Sequence, residues 1–496
     1  MSLRIAGVTL PLPLAEAVRA CRPHFVAAAG FSVLISILFL APALYMLQVY
    51  DRVLTTGGEM TLLFVTLALA IALLTLAALD GIRSRLLVRA SARIDGLLSP
   101  EILQRMLSQG GRDNVQAMRD LDMVRQALAS PAATALMDLP WAPIFVIVCF
   151  MLHFWLGMLA VASIVLLLAI AWRNQKITRE AMQQSSQALA ASHASEQAAA
   201  VYAGTLRGLG MVGAMVNRQL AQRSTGLRTM AEAQFAGSRY SALSRFLRLF
   251  VQSAALGVGA LLAIVGSISA GAIIAASILL GRALQPIDQL VGGWSTLTSA
   301  RASLIRLADI LGRPADADRI RTALPPPRGK LDVEQVAVRS PDGRAILGGV
   351  SFSAGPGEIL GIVGPSGSGK TTLAKVIAGA IIPDIGVVRL DGAQRADWDA
   401  DVLGRSVGYL PQEPSLFEGT IKENISRFEA WTAGADASVD QEVVSAAQQA
   451  GVHDLVLQLP RGYDTPLGPL GAGVSAGQAQ RIALARALYR TPNLLI

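Results

Sequence analysis

Four stretches of this chain are too apolar to lie in water, and they decide most of what it can fold into. Residues 25–50 carry no charged side chain and are long enough to cross a bilayer as one helix. Residues 60–79 form a second stretch of that kind. Residues 139–172 are uncharged apart from His153, and at about 50 Å as a helix they are too long for one crossing. A break near His153-Phe154-Trp155-Leu156-Gly157 makes two spans of them. Residues 249–281 divide likewise, at Gly266-Ser267-Ile268-Ser269-Ala270-Gly271, so the expectation is six spans. The first stretch exceeds the apolar core of a signal peptide and has no clear small-residue cleavage site after it, which marks a retained helix.

Charge sets the orientation. Only Asp51, Arg52 and Glu59 lie between the first two spans, whereas arginines from Arg83 to Arg125 follow the second and a basic set from Arg173 to Arg239 follows the fourth. The positive-inside rule puts both long segments, and both termini, in the cytoplasm. The net charge of +8 then belongs with anionic lipid, and nothing makes a case for nucleic acid. Both segments are rich in Ala, Gln, Leu and Arg and nearly free of proline, so they read as helices continuing out of the membrane. Residues 201–211 (Val-Tyr-Ala-Gly-Thr-Leu-Arg-Gly-Leu-Gly-Met) either dock on a cytoplasmic partner or simply join a helical hairpin. Cys21 and Cys149 make neither a disulfide framework nor a metal site, and Cys149 reads as a small buried hydrophobe. About two dozen residues precede the first span, too few for a thiol peptidase domain around Cys21.

After Arg306 the composition changes. Residues 311–330, with Pro314, Pro325, Pro326, Pro327 and several Asp and Arg, read as a linker. Residues 1–24 are then a cytoplasmic N-terminal segment, 25–310 the membrane domain, and 331–496 a soluble α/β domain. Its centre is Gly364-Pro365-Ser366-Gly367-Ser368-Gly369-Lys370-Thr371, followed by Thr372, a match to the phosphate-cradling pattern G-x-x-x-x-G-K-[ST]. The apolar run 359–363 before it reads as a buried strand and residues 372–380 as a helix. Glycines let successive N–H groups converge on phosphate oxygens, helped by the positive helix end. Lys370 would reach the β- and γ-phosphates of ATP and the Thr371 hydroxyl would hold Mg²⁺.

Two weaker signals follow. Gln412, in Tyr409-Leu410-Pro411-Gln412-Glu413-Pro414-Ser415-Leu416-Phe417, can touch Mg²⁺ or its water through a neutral amide oxygen, although a glutamine in a loop means little alone. Ser475, in Val474-Ser475-Ala476-Gly477-Gln478, precedes a helical run over 479–489. Its segment is either an anion site at a helix start or an ordinary N-cap.

Together these features resemble an ABC exporter with a type I transmembrane domain. That resemblance implies a six-span α-helical membrane domain joined to an α/β P-loop nucleotide-binding domain. The Ser475 segment is similar to the family signature, usually Leu-Ser-Gly-Gly-Gln, with Gly477 and Gln478 in its later positions. In the family this segment closes on ATP held by the other subunit, which implies a homodimer. Tyr45-Met46-Leu47-Gln48-Val49-Tyr50-Asp51-Arg52-Val53-Leu54, Asp138-Leu139-Pro140-Trp141-Ala142-Pro143-Ile144, Ser277-Ile278-Leu279-Leu280-Gly281-Arg282-Ala283-Leu284 and Leu459-Pro460-Arg461-Gly462-Tyr463-Asp464-Thr465 resemble the ATPase/permease of type I secretion systems, in the protease-exporting branch. The similarity covers nearly the whole chain. It implies an ATP-driven exporter of the bacterial inner membrane, with a periplasmic adaptor and an outer-membrane channel as partners and an unfolded polypeptide as cargo. Other readings of the same scaffold are a non-hydrolysing nucleotide-binding subunit and an exporter of lipids or drugs. Arg282, beside Gln285 at the end of an apolar stretch, either faces the transport path or snorkels to the interface.

Three departures stand out. No aromatic occupies the family's adenine-stacking position near Arg339-Ser340-Pro341, so either ATP binds more weakly or Arg339 stacks instead. Ala476 replaces a signature glycine. The chain stops at Asn493-Leu494-Leu495-Ile496, at the opening of the strand expected to carry an Mg²⁺-binding Asp and the catalytic Glu, with the switch His later still. The expectation is a truncated exporter that lacks its own general base.

Overall fold

The computed structural model describes residues 4–5, 8–109, 116–313, 324–340, 342–432, 438–468 and 471–496. Pro314 of the expected linker and Pro341 lie outside the described residues. The chain divides into two compact units, Met1–Asp318 and Arg319–Ile496.

The first unit is helical: α1 (Leu12–Ala20), α2 (Arg22–Leu38), α3 (Ala41–Gln48), α4 (Glu59–Gln109), α5 (Ala117–Leu128), α6 (Pro131–Asp138), α7 (Ala142–Leu152), α8 (Phe154–Val201), α9 (Val212–Ile264) and α10 (Ala270–Gly312). Among the described residues six helical segments are long and apolar enough to cross a membrane, with bounds Arg22–Thr56, Glu59–Ser108, Pro131–Leu152, Phe154–Ala200, Val212–Ile264 and Ala270–Gly312. The two expected breaks have local causes. His153 is extended (φ −167°, ψ 142°) and its Nδ1 accepts the Trp155 N–H at 3.3 Å, capping α8. Gly266 turns left-handed (φ +76°) and Ser269 Oγ then caps α10 by accepting the Ala272 N–H at 3.2 Å. The first span is less simple than its apolar run suggests. It restarts at Ala41, where Pro42 in the first turn has no N–H to give, and it passes through a π turn over Val49–Val53. At 53 residues α9 is about 80 Å long, well beyond a bilayer core of about 30 Å, so it continues outside the apolar slab as expected.

A buried polar cluster ties two helices of this unit together. Asp120 accepts from Ser303 Oγ (2.7 Å) and from Arg306 Nη2 (2.5 Å), tying α5 to α10. Cys21 and Cys149 are free and buried. The last helix runs to Gly312, two residues into the stretch read as linker, with Leu311 buried.

The second unit is built on an antiparallel sheet of four strands: β1 (Leu331–Arg339), β2 (Ala345–Ala354), β3 (Ile385–Leu390) and β4 (Ala393–Gln394), in the order β2-β1-β3-β4. Val333 pairs with Phe352 on one side and Val388 on the other. Its buried face holds Leu347, Leu373, Val376 and Trp398 around helix α11 (Lys370–Ile377). Next come α12 (Ala400–Ser406) and β5 (Val407–Gly408), then, after a helical layer, α13 (Ala476–Leu488) and β6 (Leu494–Leu495). β6 pairs in parallel with β5, so the strand expected at residues 493–496 does open. The strand expected at 359–363 does not form. Ile359 and Val363 are 101% and 93% exposed, and no described strand pairs with the run. An apolar β-branched run gains little from extension without a hydrogen-bonded neighbour to satisfy its backbone.

Candidate functional site

The phosphate loop owes its shape to glycine. Gly367 and Gly369 take φ +83° and +90°, a left-handed backbone that side chains resist. A Cβ on Gly369 would meet Leu347 Cδ2 at 2.6 Å and the Ile346 carbonyl at 3.0 Å, so only glycine lets the loop lie on β2. Lys370 then opens α11 with no side-chain cap before it, and the first N–H groups of that helix have no side-chain acceptor. From Gly364 to Ser368 the loop is exposed.

Three expected site residues converge here. Lys370 Nζ donates to the carbonyls of Gly364 (2.8 Å) and Pro365 (2.7 Å), folded over the loop it serves. Thr371 Oγ1 donates to Gln412 Oε1 at 3.0 Å, across 41 residues of chain. The glutamine that sequence could not distinguish from any loop residue therefore stands at the phosphate loop. Its oxygen and the Thr371 hydroxyl form a pair of hard, neutral ligands of the kind Mg²⁺ takes alongside phosphate and water. Among the described residues no group of three or more His, Cys, Asp or Glu offers a rival metal site.

Among the described residues the Ser475 side chain is hydrogen-bonded within its own segment and not to this cluster. Ser475 caps α13: its Oγ accepts the Gln478 N–H at 3.3 Å, and Gln478 Oε1 accepts the Ser475 N–H at 2.8 Å. This is a reciprocal capping box, the ordinary reading of the segment. Ala476 and Gly477 are exposed, and a Cβ on Gly477 would meet nothing within 4 Å.

One supporting residue escaped the sequence. Arg395 donates through Nη1 to Ile377 O (3.0 Å) and through Nη2 to Ala378 O (2.5 Å), closing the far end of α11. Gly379 makes room for it at φ +75°, where a Cβ would fall 1.9 Å from Arg395 Nε. Burial pushes the Arg395 guanidinium down from the usual arginine value. A cation at a helix C-terminus also meets the negative end of the dipole. No motif marks this arginine, because the turn after β4 carries it to carbonyls 17 and 18 residues earlier in the chain, at the end of α11.

Arg339 ends β1, exposed, with its N–H donating to Asp384 Oδ2 at 2.6 Å. In the first unit, Arg282 Nη1 donates to Gln285 Oε1 at 2.9 Å and its guanidinium lies 3.9 Å from the centre of the Phe39 ring, a cation–π contact with the first span.

Comparison with known proteins meets this geometry. A family profile described as ABC transporter matches residues 347–496, from β2 through β6. The type I secretion system ATP-binding protein PrsD of Rhizobium meliloti is 38% identical over 97% of this chain and 83% of its own length. The toxin RTX-I translocation ATP-binding protein of Actinobacillus pleuropneumoniae is 33% identical, over 96% of this chain and 68% of its own. The cyclolysin secretion/processing ATP-binding protein CyaB of Bordetella pertussis is 31% identical, over 94% and 66%. A bacterial Atm1-family ABC exporter solved with ATP bound superposes with a TM-score of 0.78 over 96% of this chain and 85% of its own, at 21% identity. That last likeness is one of fold.

Proposed function

The chain belongs to the type I secretion ATP-binding proteins of the ABC transporter family, and from that premise we propose that it acts as a homodimeric inner-membrane exporter of a polypeptide. One observation carries this reading. A single chain holds both the Lys370–Thr371–Gln412 cluster and six helices able to cross a membrane. The names of its relatives, a secretion-system component and toxin translocators, support a polypeptide as cargo. The basic segments after the second and fourth spans support a cytoplasmic nucleotide unit.

In this reading the N–H groups of Ser366, Gly367, Ser368, Gly369, Lys370 and Thr371, with the Lys370 ammonium, hold the phosphates of ATP, and Thr372 extends the helix start behind them. Thr371 and Gln412 would hold Mg²⁺. Bound there, the cation would offset phosphate charge. Ser475, Gly477 and Gln478 of one protomer would close on the phosphate loop of its partner. Two nucleotide units closing over two ATP molecules would draw the membrane helices from an inward-facing to an outward-facing arrangement. A periplasmic adaptor and an outer-membrane channel would receive the cargo. The linker over 311–330 would join motor to membrane domain.

The test is secretion. Co-expressed with an adaptor, a channel and a polypeptide bearing a C-terminal export signal, the chain should deliver that polypeptide to the medium, and Lys370→Ala should abolish delivery. Export that survives Lys370→Ala would end the reading. Nucleotide turnover stimulated by small amphiphiles but not by the polypeptide tail would move it to a lipid or drug exporter. We assign Arg282 to the transport path in the same scheme. Its charge is stacked on Phe39 within the helical unit, consistent with the rarity of lipid-facing charges in spans. Arg282→Ala should then lower export several-fold without changing Mg·ATP affinity, and unchanged export would remove it from the path.

A further inference from the structure

Two consecutive residues of the second unit sit where bulky side chains rarely go. Arg427 has φ +55° and Phe428 φ +60°. Neither is glycine or asparagine, and such a pair persists only where its surroundings over-determine it. The surroundings do so from two sides.

Arg427 spends its guanidinium on carbonyls at two helix ends. Nε donates to Arg486 O (3.1 Å) and Nη2 to Ala487 O (3.3 Å), both in the last turn of α13. Nη1 donates to Gly404 O, in the last turn of α12, and to Val407 O (3.2 Å), the first residue of β5. The final carbonyls of a helix have no partner in their own helix, and a cation there also meets the dipole favourably. Burial lowers the Arg427 pKa from the usual arginine value, so these acceptors take the place of water.

Phe428 makes a ring contact of its own. Its ring lies 6.1 Å from that of Phe417, edge to face. Phe417 ends the loop that carries Gln412, and the fully buried Asn424 grips its backbone by accepting the Phe417 N–H (2.8 Å) and donating to Phe417 O (2.9 Å). One strained dipeptide thus touches the C-terminus of the signature helix, the start of the strand leading to Gln412, and the far end of the Gln412 loop.

We propose that Arg427 is a positioning residue, whose guanidinium locks the helix bearing Ser475 to the strand that delivers Gln412 to Thr371, so that nucleotide bound at one is felt at the other. This rests on the reading that ATP uses both segments. Lysine would not substitute. It keeps the charge and the stem but presents a point donor, where the fork of arginine reaches both helix ends at once.

Hydrogen exchange on the intact detergent-solubilised chain, with and without Mg·ATP, tests the lock. In the unmodified chain Mg·ATP should slow exchange both at the phosphate loop and along α13. In Arg427→Lys, Mg·ATP affinity should stay within about twofold. Exchange in α12, β5 and the last turn of α13 should quicken by about tenfold, and nucleotide should slow the phosphate loop alone. Should Arg427→Lys not fold, Arg427→Gln carries the same readings. Retained protection at both helix ends, or nucleotide-linked slowing of α13 in the variant, would overturn the proposal. An unmodified chain that fails to bind Mg·ATP would instead remove the functional reading, while exchange without nucleotide still judges the lock.

Discussion

Two helix starts of the nucleotide unit, those of α11 and α13, look alike in sequence: each follows a Ser- and Gly-containing turn. They differ in what has already been spent. α11 begins after a left-handed glycine with no side-chain cap, so its first N–H groups keep their donors for an anion. α13 begins at Ser475, which satisfies the Gln478 N–H and is bonded by the Gln478 side chain in return. A helix N-terminus becomes a phosphate site by lacking a cap, and a capped one must be opened by something brought to it. The first start should hold nucleotide alone. The second should matter only when a partner presents phosphate to it.

The largest effect that separates them is Lys370→Ala. Without nucleotide the ammonium is satisfied by Gly364 O and Pro365 O, both in an exposed loop, so water can replace it at little cost to folding. Its contacts to phosphate have no such substitute. Two charge-assisted hydrogen bonds at about 1.5–3 kcal/mol each imply a loss of Mg·ATP affinity of at least about a hundredfold. Titration with a fluorescent ATP analogue reads this directly, and a loss below about fivefold would break the distinction between the two starts.

Gln412→Ala comes next. Its amide oxygen is one of the two protein oxygens proposed to hold Mg²⁺, and on that reading its removal should weaken nucleotide binding by about tenfold in Mg²⁺ and hardly at all in EDTA. Equal losses in both buffers would mean that Gln412 braces Thr371 and is not a cation ligand.

What sequence disclosed, and what it hid, follows the range of the interactions. The breaks at His153 and Gly266 and the phosphate loop itself depend on neighbours a few residues away, and all were legible. The Thr371–Gln412 contact spans 41 residues, and nothing in the glutamine's own surroundings points to it. Arg395 and Arg427 were silent for the same reason, since each closes helix ends whose carbonyls any cation might meet. The run at 359–363 misled because a β-branched apolar pattern reports a preference, while a strand also needs a partner along its edge. Pro42 was visible in the first apolar run, yet length and hydropathy alone do not register a helix restart.

The signature segment supplies the smallest effects, and they sharpen the comparison. Ser475→Ala removes the cap of α13, which should destabilise that helix by about 1 kcal/mol and leave Mg·ATP binding to the separate chain within about twofold. In the closed dimer the same change should cost about tenfold in ATP-driven closure, read by cross-linking between protomers, because a hydroxyl donor to phosphate is then missing as well. Ala476→Gly should act more weakly and in the opposite sense. Ala476 is exposed in the first turn of α13. Removing its methyl group costs helix propensity, up to about 1 kcal/mol in a helix interior and less in a first turn, but lets backbone approach phosphate more closely. If closure strengthens by about two- to threefold while binding to the separate chain stays level, the second start acts only across the dimer. If both change together, its cap is already open in the single chain and the contrast with α11 is lost.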